Sequence, residues 1–286
     1  MITEIIDELE DAAELKAIER QTKRNAATTS GDDGKEEPAR VVMESCDLVT
    51  PRGECIVSDL SFDVSEGQGL MITGRGGTGK TSFARVMGQL WEAQGGVFTL
   101  PPETGNPLVD LKKVFVVPQK IHMALGSLQD QVTYPEFITK ENRTPELELR
   151  LQEMLELVGI GYLVARWEGD ADETNYEEHE GWDHIVRWED VLSLGEQQRM
   201  GVARMFYHSP KIAIMDECTS AVSVDVEEGL YRQAVERGIT LVTLSQHMTL
   251  PEFHPKEILI GENERCGWKV RSRAIRQAAC ACVDLL

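Results

Sequence analysis

The chain has 286 residues, of which 41% are hydrophobic and 27% are charged, so it is long enough for one large globular domain or two small ones. Its formal net charge of −20 disfavours nucleic acid as a general partner, because binding to a phosphate backbone requires a basic face. No stretch approaches the roughly 20 apolar residues of a membrane span, and the first residues lack the pattern of a signal peptide. The six cysteines have neither zinc-site nor redox-motif spacing, so we expect free thiols in a reducing compartment.

The first 39 residues are predicted to be a helix followed by a linker. Apolar residues recur at helical spacing over residues 1–21, with acidic residues between them. The polar stretch NAATTSGDDGKEEPA (residues 25–39) is typical of a flexible linker. One compact domain is expected over residues 40–270, followed by a C-terminal tail over residues 271–286.

Within the compact domain, short apolar runs alternate with helical patterns. Strands are predicted at VVMESCDLV, IVSDLSFDV, GQGLMIT, KVFVVPQ, KIAIMDE and ITLVTLSQ, and helices at TSFARVMGQLWEAQG, ELELRLQEMLELVGI, GEQQRMGVARMFYHS and VEEGLYRQAVERG. The first of these helices is expected to open after Lys80 and to end at Gly95 and Gly96. This alternation predicts an α/β fold with a largely parallel sheet and helices on its faces.

The stretch GRGGTGKT lies between the apolar run GLMIT and the first predicted helix, and it matches the phosphate-binding pattern G-x-x-x-x-G-K-[ST]. Glycines let the backbone curl so that successive N–H groups cradle phosphate oxygens, and the helix start favours the anion. Lys80 is expected to reach the β- and γ-phosphates, and the Thr81 hydroxyl to ligate Mg²⁺. The predicted ATP-binding residues of this loop are Gly74, Gly76, Gly77, Gly79, Lys80, Thr81 and Ser82.

A pair of acidic residues ends the apolar run KIAIMDE far along the chain. Asp216 is predicted to hold Mg²⁺ directly or through water. Glu217 is predicted to polarise the attacking water as a general base. Single acidic residues often end strands, but a consecutive pair downstream of a phosphate-binding loop favours these two roles, binding of the metal and activation of the water.

Between these motifs, the tract VLSLGEQQRMGVARMFYHSP resembles the signature motif of ABC-type ATPases, usually written LSGGQ. The resemblance implies a P-loop NTPase core with an antiparallel β subdomain and a helical subdomain around the signature. It also implies that two such domains, identical or different, sandwich ATP head to tail. The residues expected to act on the nucleotide of the partner domain are Ser193, Gly195 and Glu196.

The other motifs of this family follow in order. Gln119 in VVPQ resembles the Q-loop glutamine that senses Mg²⁺ and couples the ATPase to the membrane part. Ser220–Asp225 resembles the D-loop, and His247 resembles the switch histidine that contacts the γ-phosphate. The resemblance therefore implies that the catalytic residues are Glu217, His247 and Gln119, and that the metal residues are Thr81, Gln119 and Asp216.

The tract ARMFYHSPKIAIMDECTSAVSVDVE is similar to the peroxisomal half-transporters of subfamily D, the adrenoleukodystrophy-protein group. That resemblance implies ATP-driven transport of very-long-chain fatty acids or their CoA esters, on the cytosolic face of the peroxisomal membrane. Members of that group carry a membrane domain before the nucleotide domain. The chain is therefore expected to be a fragment that works with such a domain, although an independent helix packed on the nucleotide domain would also account for residues 1–21.

Three features depart from the family pattern. Leu194 stands where the signature usually has glycine, and a leucine there is expected to weaken hydrolysis at one composite site. No aromatic residue is found between Arg40 and Pro51, where the family has one that stacks on adenine, so Val49 is a candidate to pack on the base. The acidic segment Trp167–Asp183 is interpreted as a solvated loop, with a regulatory role as the alternative.

Two rival functions remain at this stage. One is a nucleotide-gated regulatory module with little hydrolysis. The other is a soluble ABC ATPase that acts on ribosomes or DNA, which the acidic charge and the single cassette disfavour.

Overall fold

A computed structural model of the chain describes residues 38–101, 104–166, 181–246, 250–261 and 266–272. The predicted N-terminal helix, His247 and residues 167–180 of the acidic segment lie outside these ranges. The boundaries proposed for the three segments of the chain therefore stay predictions.

An antiparallel sheet of three strands forms first along the chain. Its strands are β1 (Arg40–Val49), β2 (Cys55–Ser65) and β4 (Val97–Thr99), in the spatial order β2-β1-β4. Val41 and Met43 on β1 are fully buried, because alternate side chains of this strand face the core. The sheet therefore covers one side of the molecule with a single apolar face.

A second sheet of six strands is mostly parallel, with the spatial order β5-β6-β7-β3-β8-β9. Only its edge strand β9 runs antiparallel to its neighbour β8. This arrangement confirms the predicted α/β fold. The six strands are β3 (Leu70–Gly74), β5 (Val114–Val117), β6 (Ile212–Asp216), β7 (Thr240–Leu244), β8 (Lys256–Ile260) and β9 (Trp268–Ser272).

Strand β6 shows why this sheet is easy to predict. All five of its residues are buried, since layers cover both faces of the sheet. Ala213 and Met215 pack into a core shared with the helices, whereas Ile212 and Ile214 pack into a second core shared with the antiparallel sheet. The continuous apolar run of the sequence is thus typical of a strand with two buried faces.

Eight helices connect and cover the strands in the part of the chain that the structure describes. They are α1 (Lys80–Met87), α2 (Pro107–Leu111), α3 (Leu128–Thr133), α4 (Pro145–Leu157), α5 (Tyr162–Arg166), α6 (Trp188–Val191), α7 (Leu194–His208) and α8 (Val224–Glu236). Short 3₁₀ turns add Lys140–Asn142, Gly181–Asp183 and Leu250–Phe253. Helices α3, α4 and α7 pack together as a helical layer. No described helix has the length and apolarity needed to cross a bilayer.

The prediction for α1 was wrong at its C-terminal end. The helix ends at Met87, eight residues before the predicted stop at Gly95. Gly88 takes the C-cap position, and Gln89 adopts a left-handed backbone with φ 58°. The N–H of Leu90 then bonds back to Arg85 O at 2.8 Å, so the carbonyl groups of the last turn are satisfied without a further helical turn.

The parallel order brings four strand ends to one edge of the sheet. Since β3, β5, β6 and β7 all run the same way, the residues that follow them meet at their carboxyl edge. Those residues are the glycine-rich loop, Gln119, the acidic pair Asp216 and Glu217, and Gln246. Ligand sites of open parallel sheets lie at this edge.

Candidate functional site

The glycine-rich loop is tightly packed at its ends and open in its middle. A Cβ at Gly74 would lie 2.8 Å from Ile260 O, and one at Gly79 would lie 2.2 Å from Ile56 Cγ2. A Cβ at Gly76 or Gly77 would meet nothing within 4 Å. Gly79 also has φ 93°, a backbone conformation that other residues adopt only with strain. The open middle lets a ligand approach the backbone closely.

Lys80 holds a buried ammonium group directly above this loop. Its side chain is 5% exposed, and Nζ donates to Gly74 O at 3.0 Å and to Arg75 O at 3.3 Å. The same Nζ lies 3.6 Å from Glu217 Oε1. The loop lysine and the carboxylate of the distant acidic pair therefore share one site.

Asp216 is a buried carboxylate with an unused oxygen. It ends β6 and is 4% exposed, and its Oδ1 finds no hydrogen-bond partner among the described residues. Burial, with a smaller contribution from Glu217, raises the pKa of Asp216 to about 6. The cationic groups of Arg85 and Lys80 oppose that shift. A buried carboxylate of this kind is stabilised by a bound cation or a donor.

The donors at this edge fit Mg²⁺. The ion prefers oxygen ligands and is usually held in nucleotide sites by one or two protein groups together with substrate phosphates and water. Asp216 offers a free carboxylate oxygen, and Thr81 offers an exposed hydroxyl as the second residue of α1. No group of three or more His, Cys, Asp or Glu side chains that could hold a metal occurs among the described residues.

Glu217 is held by two amide side chains. Gln119 Nε2 lies 3.4 Å from Oε2, and Gln246 Nε2 lies 3.1 Å from Oε1. The backbone of Glu217 is left-handed, with φ 44°, which is a strained conformation for a glutamate. Its N–H donates to Leu244 O at 3.0 Å, which fixes the residue against β7. The carboxylate is thus oriented from both oxygens at the edge of the sheet.

Gln246 is a site residue that the sequence reasoning missed. It follows β7 by two positions and lines a cleft of about 290 Å³ together with Glu217, Thr219, Ser220 and Ser245. The sequence instead predicted a role for the neighbouring residue His247, which lies outside the described residues. The available signal was position, because side chains at the carboxyl ends of parallel strands meet at one edge.

The signature serine caps α7 through a closed set of hydrogen bonds. Ser193 Oγ accepts from Glu196 N at 3.3 Å, and Ser193 N and Oγ both donate to Glu196 Oε2, at 2.7 and 2.6 Å. Tyr162 OH donates to Glu196 Oε1 at 2.6 Å. Burial alone would raise the pKa of Glu196, but these hydrogen bonds outweigh it and hold the pKa below its ordinary value. Glu196 therefore acts on Ser193, and Tyr162 is a second residue that sequence reasoning did not find.

The rest of the signature contacts the segment that follows Glu217. A Cβ at Gly195 would lie 2.9 Å from Ala221 O, so glycine permits this close approach. Gln198 Nε2 donates to Ser220 Oγ at 3.0 Å, and Ala221 N donates to Gln198 Oε1 at 2.8 Å. Leu194 is 57% exposed at the first position of α7. The signature is thus linked to the acidic pair through residues 218–221, whereas its bulky leucine faces outward.

Known proteins share both the motifs and the fold. Residues 57–220 match the family described as ABC transporter. The chain belongs to the ABC transporter family. It is 44% identical over 207 residues to human ATP-binding cassette sub-family D member 3, and 39% identical over 241 residues to ABC transporter D family member 1 of Arabidopsis thaliana. These alignments cover 72% and 79% of this chain, but 28% and 17% of the relatives. The prediction of an ABC-type ATPase domain resembling subfamily D is confirmed at the level of the family.

Two further known proteins are similar to this chain in sequence or in fold. The human lysosomal cobalamin transporter ABCD4 is 39% identical over 199 residues, which are 70% of this chain and 30% of that protein. A structure of a bacterial Atm1-family ABC exporter with ATP bound has a TM-score of 0.64 and 18% identity, and the match covers 84% of this chain and 40% of the exporter chain. This ABC transporter chain spans less than a third of the length of the curated relatives described here.

Proposed function

We propose that this chain is the ATP-binding and ATP-hydrolysing domain of an ABC transporter. The observation that carries the proposal is the meeting of Lys80, Asp216 and Glu217 at one edge of the sheet, with 3.6 Å between Lys80 Nζ and Glu217 Oε1. Residues 137 positions apart in the chain build one site that combines a phosphate-binding loop, a free carboxylate oxygen and a positioned base.

In the proposed reaction, the loop of Gly74, Gly76, Gly77 and Gly79 binds the phosphates of ATP through main-chain N–H groups. Lys80 pairs with the terminal phosphates, and Ser82 extends the contacts of the loop at the start of α1. Thr81 and Asp216 hold Mg²⁺, with Gln119 beside them. A Mg²⁺ ion held by these residues would supply positive charge against the phosphates.

Glu217 accepts the proton of the attacking water in this proposal. The amides of Gln119 and Gln246 hold its two carboxylate oxygens, so the base is oriented before the substrate binds. An amide cannot itself take up a proton at neutral pH, and Gln246 is therefore a positioning residue. His247, by resemblance to the switch histidine, contacts the γ-phosphate.

The proposed assembly pairs two nucleotide-binding domains, identical or different, with a membrane domain. Ser193 and Gly195 contact the nucleotide bound in the partner domain, at the positive end of α7. Glu196 supports this contact by holding the Ser193 hydroxyl. The fold shared with a bacterial ABC exporter and the identity with subfamily D members support a transporter assembly of this type. Nucleic acid is not an expected partner of a chain with net charge −20.

For the transported substrate, we propose very-long-chain fatty acids or their CoA esters, moved across the peroxisomal membrane with this domain on the cytosolic face. The support is the resemblance of DECTSAVSVD and its surroundings to subfamily D half-transporters. The cobalamin transporter of comparable identity is the natural rival for substrate class. In vesicles that contain the whole transporter, fatty acyl-CoA should stimulate ATP hydrolysis and cobalamin should not. The reverse pattern would refute the substrate assignment while leaving the ATPase proposal intact.

Glu217→Gln tests the ATPase proposal. The substitution keeps the shape of the side chain but removes the base, so turnover should fall at least 100-fold while ATP binding persists. The matched control is Glu252→Gln, an exposed residue of the turn Leu250–Phe253, which should keep wild-type turnover. Turnover is measured by phosphate release, and ATP affinity by competition with a fluorescent nucleotide. Wild-type turnover in Glu217→Gln would contradict the assigned role of the base.

A second candidate function is a nucleotide-binding regulatory module with little hydrolysis. The exposed Leu194 in the signature favours it, because that side chain stands where two domains are proposed to close on ATP. In this case ATP would bind to the wild type with ordinary affinity, yet phosphate release would match that of Glu217→Gln. Dimers of Glu217→Gln that form only with ATP would favour the enzyme.

A further inference from the structure

The thiols of Cys55 and Cys266 lie side by side at a junction between the two sheets. Cys55 is the first residue of β2, and Cys266 precedes β9 by two positions. The Cys266 thiol donates to the Cys55 main-chain oxygen at 3.0 Å, although 211 positions separate the two residues in the chain. Hydrogen bonding to the Cys266 thiol, together with burial, raises the pKa of Cys55 to about 11. The Cys266 thiol therefore lies against the first residue of β2, close enough to influence the Cys55 thiol.

Hydrogen bonds already join the two backbone segments that carry these cysteines. Ser58 N donates to Cys266 O at 3.0 Å, and Trp268 Nε1 donates to Ser58 O at 3.0 Å. Cys266 has φ 69°, a left-handed conformation that usually selects glycine or asparagine. A covalent link between the two thiols would therefore join segments whose backbones already contact each other.

Accessibility separates this pair from the other described cysteines. Cys55 is exposed and Cys266 is partly exposed, whereas Cys46 and Cys218 are buried. Burial raises the pKa of Cys218 above its ordinary value and also shields that thiol from solvent. A small oxidant in solution reaches the pair before it reaches the core thiols.

We propose that Cys55 and Cys266 form a reversible disulfide when the protein meets hydrogen peroxide. One thiol attacks the peroxide, which becomes water, and the sulfur is left as a sulfenic acid. The other sulfur then displaces the hydroxyl group of the sulfenic acid, and a second water leaves with the thiol proton. Two thiols and one peroxide thus give one disulfide and two water molecules. A dithiol reductant returns both thiols by exchange.

The link bears on the nucleotide site through Ile56. This residue follows Cys55 directly, and its Cγ2 occupies the space beside Gly79 in the glycine-rich loop. The disulfide ties that strand to the hairpin of β8 and β9 and closes a loop of more than 200 residues. Because the unfolded chain loses freedom when such a loop is closed, the melting temperature should rise by about 5–10 °C.

Peroxide treatment followed by peptide mapping tests the proposal on the full chain. After oxidation and blocking of free thiols, mass spectrometry should find one tryptic species that joins the Cys55 and Cys266 peptides and disappears on reduction. The melting temperature should rise with its formation and fall back on reduction. Cys55→Ser and Cys266→Ser should each abolish both the linked species and the thermal shift, while keeping the folding of the reduced wild type. Peptides that contain Cys280 or Cys282 are distinguished by mass.

Two results would overturn the proposal. Separate alkylation of Cys55 and Cys266 after peroxide treatment would show that the thiols do not join. A linked species without a reversible rise in melting temperature would show that it forms only in unfolded protein. Neither result depends on ATP hydrolysis, so the experiment is independent of the proposed function.

Discussion

The carboxyl edge of the parallel sheet and the start of α7 are both built from motif residues, but their polar groups are satisfied to different degrees. At the sheet edge, Asp216 Oδ1 is buried and has no hydrogen-bond partner in the part of the chain that the structure describes, and Glu217 has a strained backbone. At the start of α7, Ser193 and Glu196 form a closed capping box. The sheet edge thus contains a polar atom with unused hydrogen-bonding capacity, whereas the polar side chains at the start of α7 bond to each other.

This difference indicates that the sheet edge is arranged to bind a ligand, whereas the start of α7 is stable on its own. Buried polar groups in folded proteins are nearly always paired, so an unpaired buried carboxylate marks a place where a ligand completes the structure. A satisfied helix cap needs no ligand for stability, and its proposed contribution to ATP comes from a donor at the helix start when a second domain docks. Substitutions at the sheet edge should therefore affect nucleotide binding most, and substitutions at α7 should affect stability and cooperation between domains.

The largest effect is expected for Lys80→Ala. Removing the ammonium leaves the triphosphate charge unpaired in a buried site, so ATP affinity should fall at least 100-fold. Lys112→Ala, an exposed lysine before β5, is the control and should change affinity less than twofold. Equilibrium binding of a fluorescent ATP analogue measures both. Equal losses in the two variants would show that Lys80 acts only through net charge.

A smaller effect is expected for Gly79→Ala, which tests the backbone of the same region. The new Cβ would lie 2.2 Å from Ile56 Cγ2 at φ 93°, so we expect a loss of about 3 kcal/mol of unfolding free energy from clash and strain. Gly229→Ala is the matched control, because its Cβ would meet no neighbour within 4 Å inside α8. That change should add about 0.5–1 kcal/mol through helix propensity. Urea denaturation gives both values, and the same sign for the two variants would contradict this account.

These two substitutions also show what the sequence could and could not predict. The motif identified Gly79 and Lys80, and the apolar run through Ile212–Asp216 identified a strand, because both signals are local. The contact between Gly79 and Ile56 joins the N-cap of α1 to a strand of the antiparallel sheet, so no pattern in either segment reveals it. Strand β4 has only three residues and largely exposed side chains, which is too weak a signal for a sequence-based prediction.

The candidate site shows the same limit. Glu217 was predicted from its position after a buried strand, but its partner Gln246 was not. Unlike Gln119, Gln246 was not matched to a motif of the family, and its side chain carries no charge that would draw attention to it. Tyr162 lies 34 positions from Glu196, and the fold brings its hydroxyl to the carboxylate at the start of α7. Long-range hydrogen bonds of this kind depend on packing, which periodicity and motifs do not describe.

Ser193→Ala tests whether the cap of α7 has a role beyond stability. Loss of an N-cap serine costs about 1 kcal/mol. Ser127→Ala is the matched control, because Ser127 forms the same capping box with Asp130 at the start of α3. Both variants should lose similar unfolding free energy, but only Ser193→Ala should lower ATP turnover. Equal turnover in the two variants would confine the serine to a structural role.

The smallest effect is expected for Leu194→Gly, which addresses the signature position where leucine stands in place of the usual glycine. Leu194 is 57% exposed, so its removal costs little core packing, and glycine at a helix start lowers stability by less than about 1 kcal/mol. If the leucine narrows the cap over the nucleotide of a partner domain, ATP turnover at a protein concentration that favours dimers should rise severalfold. Leu194→Ala separates the two causes, since it removes the bulk of the side chain but keeps the ordinary restriction of φ. A rise in ATP turnover in both variants would assign the effect to the size of the leucine side chain. A rise in Leu194→Gly alone would assign it to the freedom of the backbone. Unchanged turnover in both variants would show that Leu194 does not limit hydrolysis.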